Sequence, residues 1–194
     1  MMALETLPGR IEAVVIGASA GGVEALNEIL PDLPATFRPA VLIVLHLPRE
    51  RPSLLVEIYE KRCALPVREA DDKEPVEPGT VYFAPPDYHM LVEKSRQIAL
   101  STDEPVHFSR PSIDVLFESA ADVYGERLLG IILTGANEDG AAGLHAIHRA
   151  GGVTVVQQPD SAKVPLMVVS ALQRNPADFI LSLPEIGELL KGLA

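Results

Sequence analysis

Three residue types that could do chemistry together follow the ends of three apolar runs. Ser19 lies in Gly17-Ala18-Ser19-Ala20-Gly21-Gly22, directly after the run at residues 11–16. His46 closes the run at 40–45, and the acidic pair Glu138-Asp139 falls in Thr134-Gly135-Ala136-Asn137-Glu138-Asp139-Gly140, after the run at 128–133. A serine hydroxyl is a poor nucleophile until an imidazole takes its proton, and the imidazole needs a carboxylate to fix its tautomer and stabilise its charged form. Gly17 and Gly21 flank Ser19 as G-x-S-x-G, the pattern of a sharp strand-to-helix turn that lifts a hydroxyl into view. The start of the following helix offers N–H groups and positive dipole to an oxyanion. Ala20 N–H is the first expected donor, with Gly21 beside it and Ala136 in the second turn.

Each residue also has an ordinary reading. His46 alone reads as a hydrogen-bonded histidine at a strand end. Asp139 alone reads as the N-cap of a helix starting at Gly140, and Glu138 competes with it as the acid. A dinucleotide site would need glycine at position 19 and an acidic residue where His46 stands. The α/β-hydrolase triad runs serine, acid, histidine, and would oblige Asp139 to pair with His145 or His148 on the short helix that follows it. The five histidines lack the partnered spacing of metal ligands, so no metal and no cofactor are expected.

The elements that must position these residues alternate. Runs at 11–16, 40–45, 128–133 and 153–156 read as buried strands, and helical periodicity at 23–33, 53–61, 112–124, 140–149 and 186–193 reads as the helices between and after them. Pro111 stands at the entrance of the helix at 112. The Pro- and acid-rich middle carries short alternating runs at 81–83, 90–92 and 97–100 that read as hairpin strands. The expected fold is α/β: a doubly wound, mainly parallel sheet with helices on both faces and an antiparallel hairpin excursion at about 80–101. In such sheets ligands gather beyond the strand C-termini, where Ser19, His46 and Asp139 fall.

Composition narrows the function classes. With 194 residues, 47% of them apolar, the chain can bury one sizeable core and reads as a single domain over 1–194. A formal charge of −11 argues against nucleic acid and anionic membrane surfaces. The sole cysteine, Cys63, leaves no disulfide framework. The longest apolar run is far short of the ~20 residues needed to span a bilayer, and the start lacks the basic and apolar regions of a signal peptide. A cytoplasmic protein is expected.

GASAGG, the strand ending in His46, APPDYHM (84–90), RPSIDVLF (110–117) and ILTGANEDGAAG (132–143) together resemble the catalytic domain of the chemotaxis protein-glutamate methylesterases, the CheB family, from about Val14 to the C-terminus. The resemblance implies hydrolysis of glutamyl γ-methyl esters on chemoreceptor signalling helices with release of methanol; some relatives also deamidate receptor glutamines. It places the family's nucleophile on Ser19, its histidine on His46 and its aspartate on Asp139, in preference to Glu138. It implies chemoreceptors as partners, with the matching receptor methyltransferase as a further one. Arg110 is a candidate cation for receptor carboxylates, against a structural role beside Pro111. The family's usual Met-Gly is replaced here by Ala136-Asn137, where asparagine's tolerance of positive φ would preserve the turn. With about ten residues before the first strand, a stand-alone form without the receiver domain is expected. The competing class is a catalytically impaired module that binds receptor or methyltransferase.

Overall fold

The computed structural model describes residues 7, 9–47 and 54–194. A seven-stranded, all-parallel sheet forms its centre, in the order β3-β4-β2-β1-β7-β8-β9. The strands are β1 (Ala13–Ala18), β2 (Ala40–Leu45), β3 (Val67–Glu69), β4 (Val81–Phe83), β7 (Leu128–Ile132), β8 (Val153–Gln157) and β9 (Phe179–Leu181). β1, β2, β7 and β8 are buried along their whole length, because both faces are covered. Continuous β-branched and leucine runs, rather than alternation, are what such strands require.

The helices are α1 (Gly22–Ile29), α2 (Leu55–Glu60), α3 (Ile113–Tyr124), α4 (Ala141–Arg149), α5 (Leu166–Arg174) and α6 (Leu183–Lys191). One core layer unites the sheet with Leu26 and Ile29 of α1, Tyr59 of α2 and Ile186 and Leu190 of α6. The opposite layer unites it with Phe117 of α3, Leu144 and Ile147 of α4 and Val168 of α5. Helices therefore cover both faces, as a doubly wound sheet demands. The expected start of α2 at residue 53 lies outside the described residues.

The middle of the chain departs from expectation in one respect. β5 (His89–Val92) and β6 (Ile98–Ser101) do form an antiparallel hairpin. Val81–Phe83 does not belong to it; this strand pairs parallel with β2 and β3 inside the main sheet. Its alternating pattern misled because all three residues are buried, so the polar face that alternation normally marks is absent.

Chain direction matters most at the centre. From β1 the chain moves outward to β2 on one side, while β7, β8 and β9 extend on the other. The crevice beyond the carboxyl ends of β1, β2 and β7 is therefore the switch point of the sheet, the position where open α/β sheets hold ligands.

Candidate active site

Ser19, His46 and Asp139 converge at this switch point. Register brings the first two together. Ala18 pairs with Leu45 and His46 N–H donates to the Ala18 carbonyl at 3.0 Å, so Ser19 and His46 directly follow the last facing pair of β1 and β2. Ser19 N–H donates to the Thr134 carbonyl at 3.0 Å, which ties the serine turn to the end of β7.

Small residues in GASAGG are demanded by close packing. A Cβ on Gly17 would collide with the Ile113 side chain of α3. Gly21 has φ of 81°, and a Cβ there would lie 2.9 Å from Lys163 Cβ. The turn is further held by buried Thr134, whose hydroxyl donates to the Ala20 carbonyl at 2.9 Å while accepting Val164 N–H at 2.9 Å. Neither Ala20 N–H, Gly21 N–H nor Ala136 N–H donates to another group among the described residues. These are unspent donors on both turns that frame Ser19.

His46 Nε2 lies 2.9 Å from Asp139 Oδ2. Asp139 is completely buried. Its Oδ2 also accepts Ile113 N–H at 2.7 Å, while Oδ1 accepts the Ser112 hydroxyl at 2.8 Å and Asp114 N–H at 3.0 Å. Burial alone would raise this carboxyl, but the hydrogen bonds from His46, Asp114 N–H and Ile113 N–H together outweigh it and hold the group below the usual carboxylate range. A carboxylate offers only acceptors, so the ring nitrogen that faces it, Nε2, is the one assigned the imidazole proton. The lone pair sits on Nδ1, away from the carboxylate.

The ordinary role expected for Asp139, capping the helix that follows it, is not the one observed. Gly140 is the N-cap of α4, with φ of 98° and no side-chain cap. Asp139 instead caps α3, and α3 returns the favour: Asp114 Oδ1 accepts Gly140 N–H at 3.0 Å and also Gly143 N–H. Two helix N-termini thus exchange carboxylates, each aimed at the partner's positive dipole end. Burial pushes the Asp114 carboxyl up; Gly143 N–H opposes this and the charge of Asp139 adds to it. Ser112, an N-cap whose hydroxyl accepts Val115 N–H and donates to Asp139, belongs to the same lattice. Serine directly after proline at a helix start is the pattern that could have marked this cap. Its bond to residue 139 had no local signal.

Glu138 is exposed and faces His107 Nδ1 at 3.4 Å, not His46. Arg110 donates to Asp87 Oδ1 from Nε and Nη2, and to the carbonyls of Thr102 and Asp103 from Nη1. Its guanidinium ties these loops together. Asn137 does not take up positive φ; in this turn that conformation falls on Gly140. A hollow of about 300 Å³ adjoins the site, lined by His107, Phe108, Asn137, Glu138, Leu166 and Ser170.

The arrangement defines a class: a doubly wound α/β domain with the residue types of a serine hydrolase gathered at its switch point. Comparison with known proteins names the family. The CheB methylesterase model matches residues 14–190. A putative protein-glutamate methylesterase/protein-glutamine glutaminase of Leptospira interrogans is 49% identical over 178 residues, covering 92% of each chain. A protein-glutamate methylesterase/protein-glutamine glutaminase of Bordetella parapertussis is 44% identical over 179 residues, and there the match covers 90% of this chain and 51% of the relative. The crystal structure of the Thermotoga maritima CheB methylesterase catalytic domain superposes with a TM-score of 0.88 at 31% identity, over 95% of this chain and 99% of that one. The chain belongs to the CheB methylesterase family.

Proposed function

We propose that this protein is a serine esterase that hydrolyses glutamyl γ-methyl esters on the cytoplasmic helices of chemoreceptors. Ser19 Oγ attacks the ester carbonyl while His46 Nδ1 accepts its proton. Asp139 stabilises the imidazolium that forms. Ala20, Gly21 and Ala136 N–H supply donors to the oxyanion. Collapse of the tetrahedral intermediate expels methoxide, which takes the proton from His46 and leaves as methanol. A water activated by the same nitrogen then attacks the acyl-serine, restoring the serine hydroxyl and releasing a receptor carboxylate.

The observation that carries this reading is the fully buried Asp139 carboxyl 2.9 Å from His46 Nε2, beside the end of β1 that Ser19 directly follows. The relatives' names add a glutaminase activity, which the same residues would perform on a receptor glutamine, His46 protonating the amide nitrogen so that it leaves as ammonia. The setting would be the cytoplasm, where the matching methyltransferase modifies the same helices. The test is methanol release from methylated receptor helices by wild type and Ser19→Ala. Release by wild type that is lost in the variant supports the reading; undiminished release in Ser19→Ala refutes it.

A further inference from the structure

Asn137 touches His46 on the side opposite Asp139. Its amide has a settled orientation, because Oδ1 accepts Asp139 N–H at 3.3 Å. The Nδ2 end then lies 3.5 Å from His46 Nδ1 and 3.4 Å from Ser109 Oγ. Asp139 keeps the imidazole proton on Nε2, so Nδ1 carries the lone pair and Asn137 presents a donor to it. Ser19 Oγ makes no hydrogen bond to His46 or to any other described residue.

We infer that Asn137 is a positioning residue for His46: its amide holds the base nitrogen at rest, and the serine hydroxyl must displace it to be activated. The inference rests on the roles proposed above for Ser19 and His46. Two features of the contact suit a donor that yields. At 3.5 Å it is longer than an ordinary hydrogen bond, and the same Nδ2 has a second acceptor in Ser109 to which it can turn. Donation to Nδ1 also stabilises neutral imidazole over imidazolium, because the lone pair is the site a proton would occupy. The contact therefore occupies the lone pair at rest and withholds it from an idle serine.

Both consequences can be measured on the full chain with Asn137→Ala and Asn137→Ser. The serine variant retains an oxygen able to accept Asp139 N–H but is too short to reach His46, which keeps the test valid if the alanine variant folds poorly. The first readout is the ¹⁵N resonance of His46 Nδ1, which should move toward that of an unbonded ring nitrogen in both variants. The second is the rate at which a fluorophosphonate labels Ser19 across pH. Its acid limb should shift upward by about half a unit to one unit, and its plateau should rise about two- to fivefold, as loss of one neutral hydrogen bond implies. A purely structural asparagine would lower the labelling rate equally at every pH and leave the limb in place. An unchanged Nδ1 resonance in Asn137→Ser, with Ser19 still labelled, overturns the inference alone. A shifted resonance in a protein whose Ser19 is never labelled upholds the contact and overturns the esterase reading instead.

Discussion

Asp139 accepts more hydrogen bonds than orienting one histidine requires. Four donors from three residues of the α3 entrance and His46 reach its two oxygens, so the side chain is at once a partner for the imidazole and the cap of a helix. Substitution should separate these duties. Asp139→Asn must place an NH2 where an acceptor is needed, against either His46 and Ile113 or Ser112 and Asp114. The expected result is loss of esterase turnover by about 10³–10⁴-fold together with about 2–3 kcal/mol of stability. His46→Ala should lose comparable turnover with little change in stability, since the side chain is partly exposed and bonds only through its ring, while the backbone bond to Ala18 remains. Denaturant titration beside the rate assay checks both; equal destabilisation of the two variants would contradict the double role. Types and spacing singled out Ser19 and His46 as candidates and left Asp139 and Glu138 both open; the family resemblance, not the spacing, pointed to Asp139. The bonds to Ser112, Asp114 and Asn137 were not legible, because they depend on where α3 and α4 meet rather than on any local pattern.

At the scale of elements, α3 and α4 are locked by exchanged carboxylates and by a glycine. Gly143 allows the approach: a Cβ there would lie 2.5 Å from Phe117 Cβ and 3.1 Å from Asp114 Cα. Gly143→Ala gains about 1 kcal/mol of helix propensity, but overpacking costs about 1–3 kcal/mol and backbone must move. Net destabilisation is expected, with a larger fall in turnover than the stability loss explains, because the shift displaces Asp139 from His46. Wild-type turnover in Gly143→Ala would refute that coupling. Asp114 gives a prediction in pH. Its folded carboxyl is raised, so between the unfolded value of about 3.9 and the raised one the folded state binds more protons, and stability falls as pH rises through that window. Asp114→Asn keeps an oxygen for Gly140 and Gly143 N–H and removes the titration. Relative to wild type, the variant should gain stability from pH 3 to pH 7, read by urea unfolding at both; a constant difference would contradict it. Among the elements, β1, β2 and β7 were legible as apolar runs and β8 as a β-branched one. The three-residue strands β3 and β9 were not, because so short a run carries no period. Nor was α5, whose Val168-Val169 pair is β-branched and whose helical state is set by packing against α4 and β8 rather than by propensity.

For the whole molecule, the switch point collects the three strand ends and net charge sets what is drawn to them. The formal charge is −11, and exposed Glu138 stands at the rim of the site. A methyl ester is neutral and approaches such a surface without penalty, whereas the carboxylate it becomes is repelled. On net charge, hydrolysis converts a neutral group into one that the summed field of the molecule disfavours. A methylated receptor helix should therefore compete for the site better than the same helix demethylated, by a margin greatest at low ionic strength. Exposed charges separated by more than ~10 Å are largely screened at 0.1 M salt, so the margin should shrink steadily as salt rises toward that level. The measurement is the inhibition constant of each helix against fluorophosphonate labelling of Ser19 at several salt concentrations. Equal inhibition by ester and carboxylate helices at low salt would show that the field of the molecule plays no part in product release.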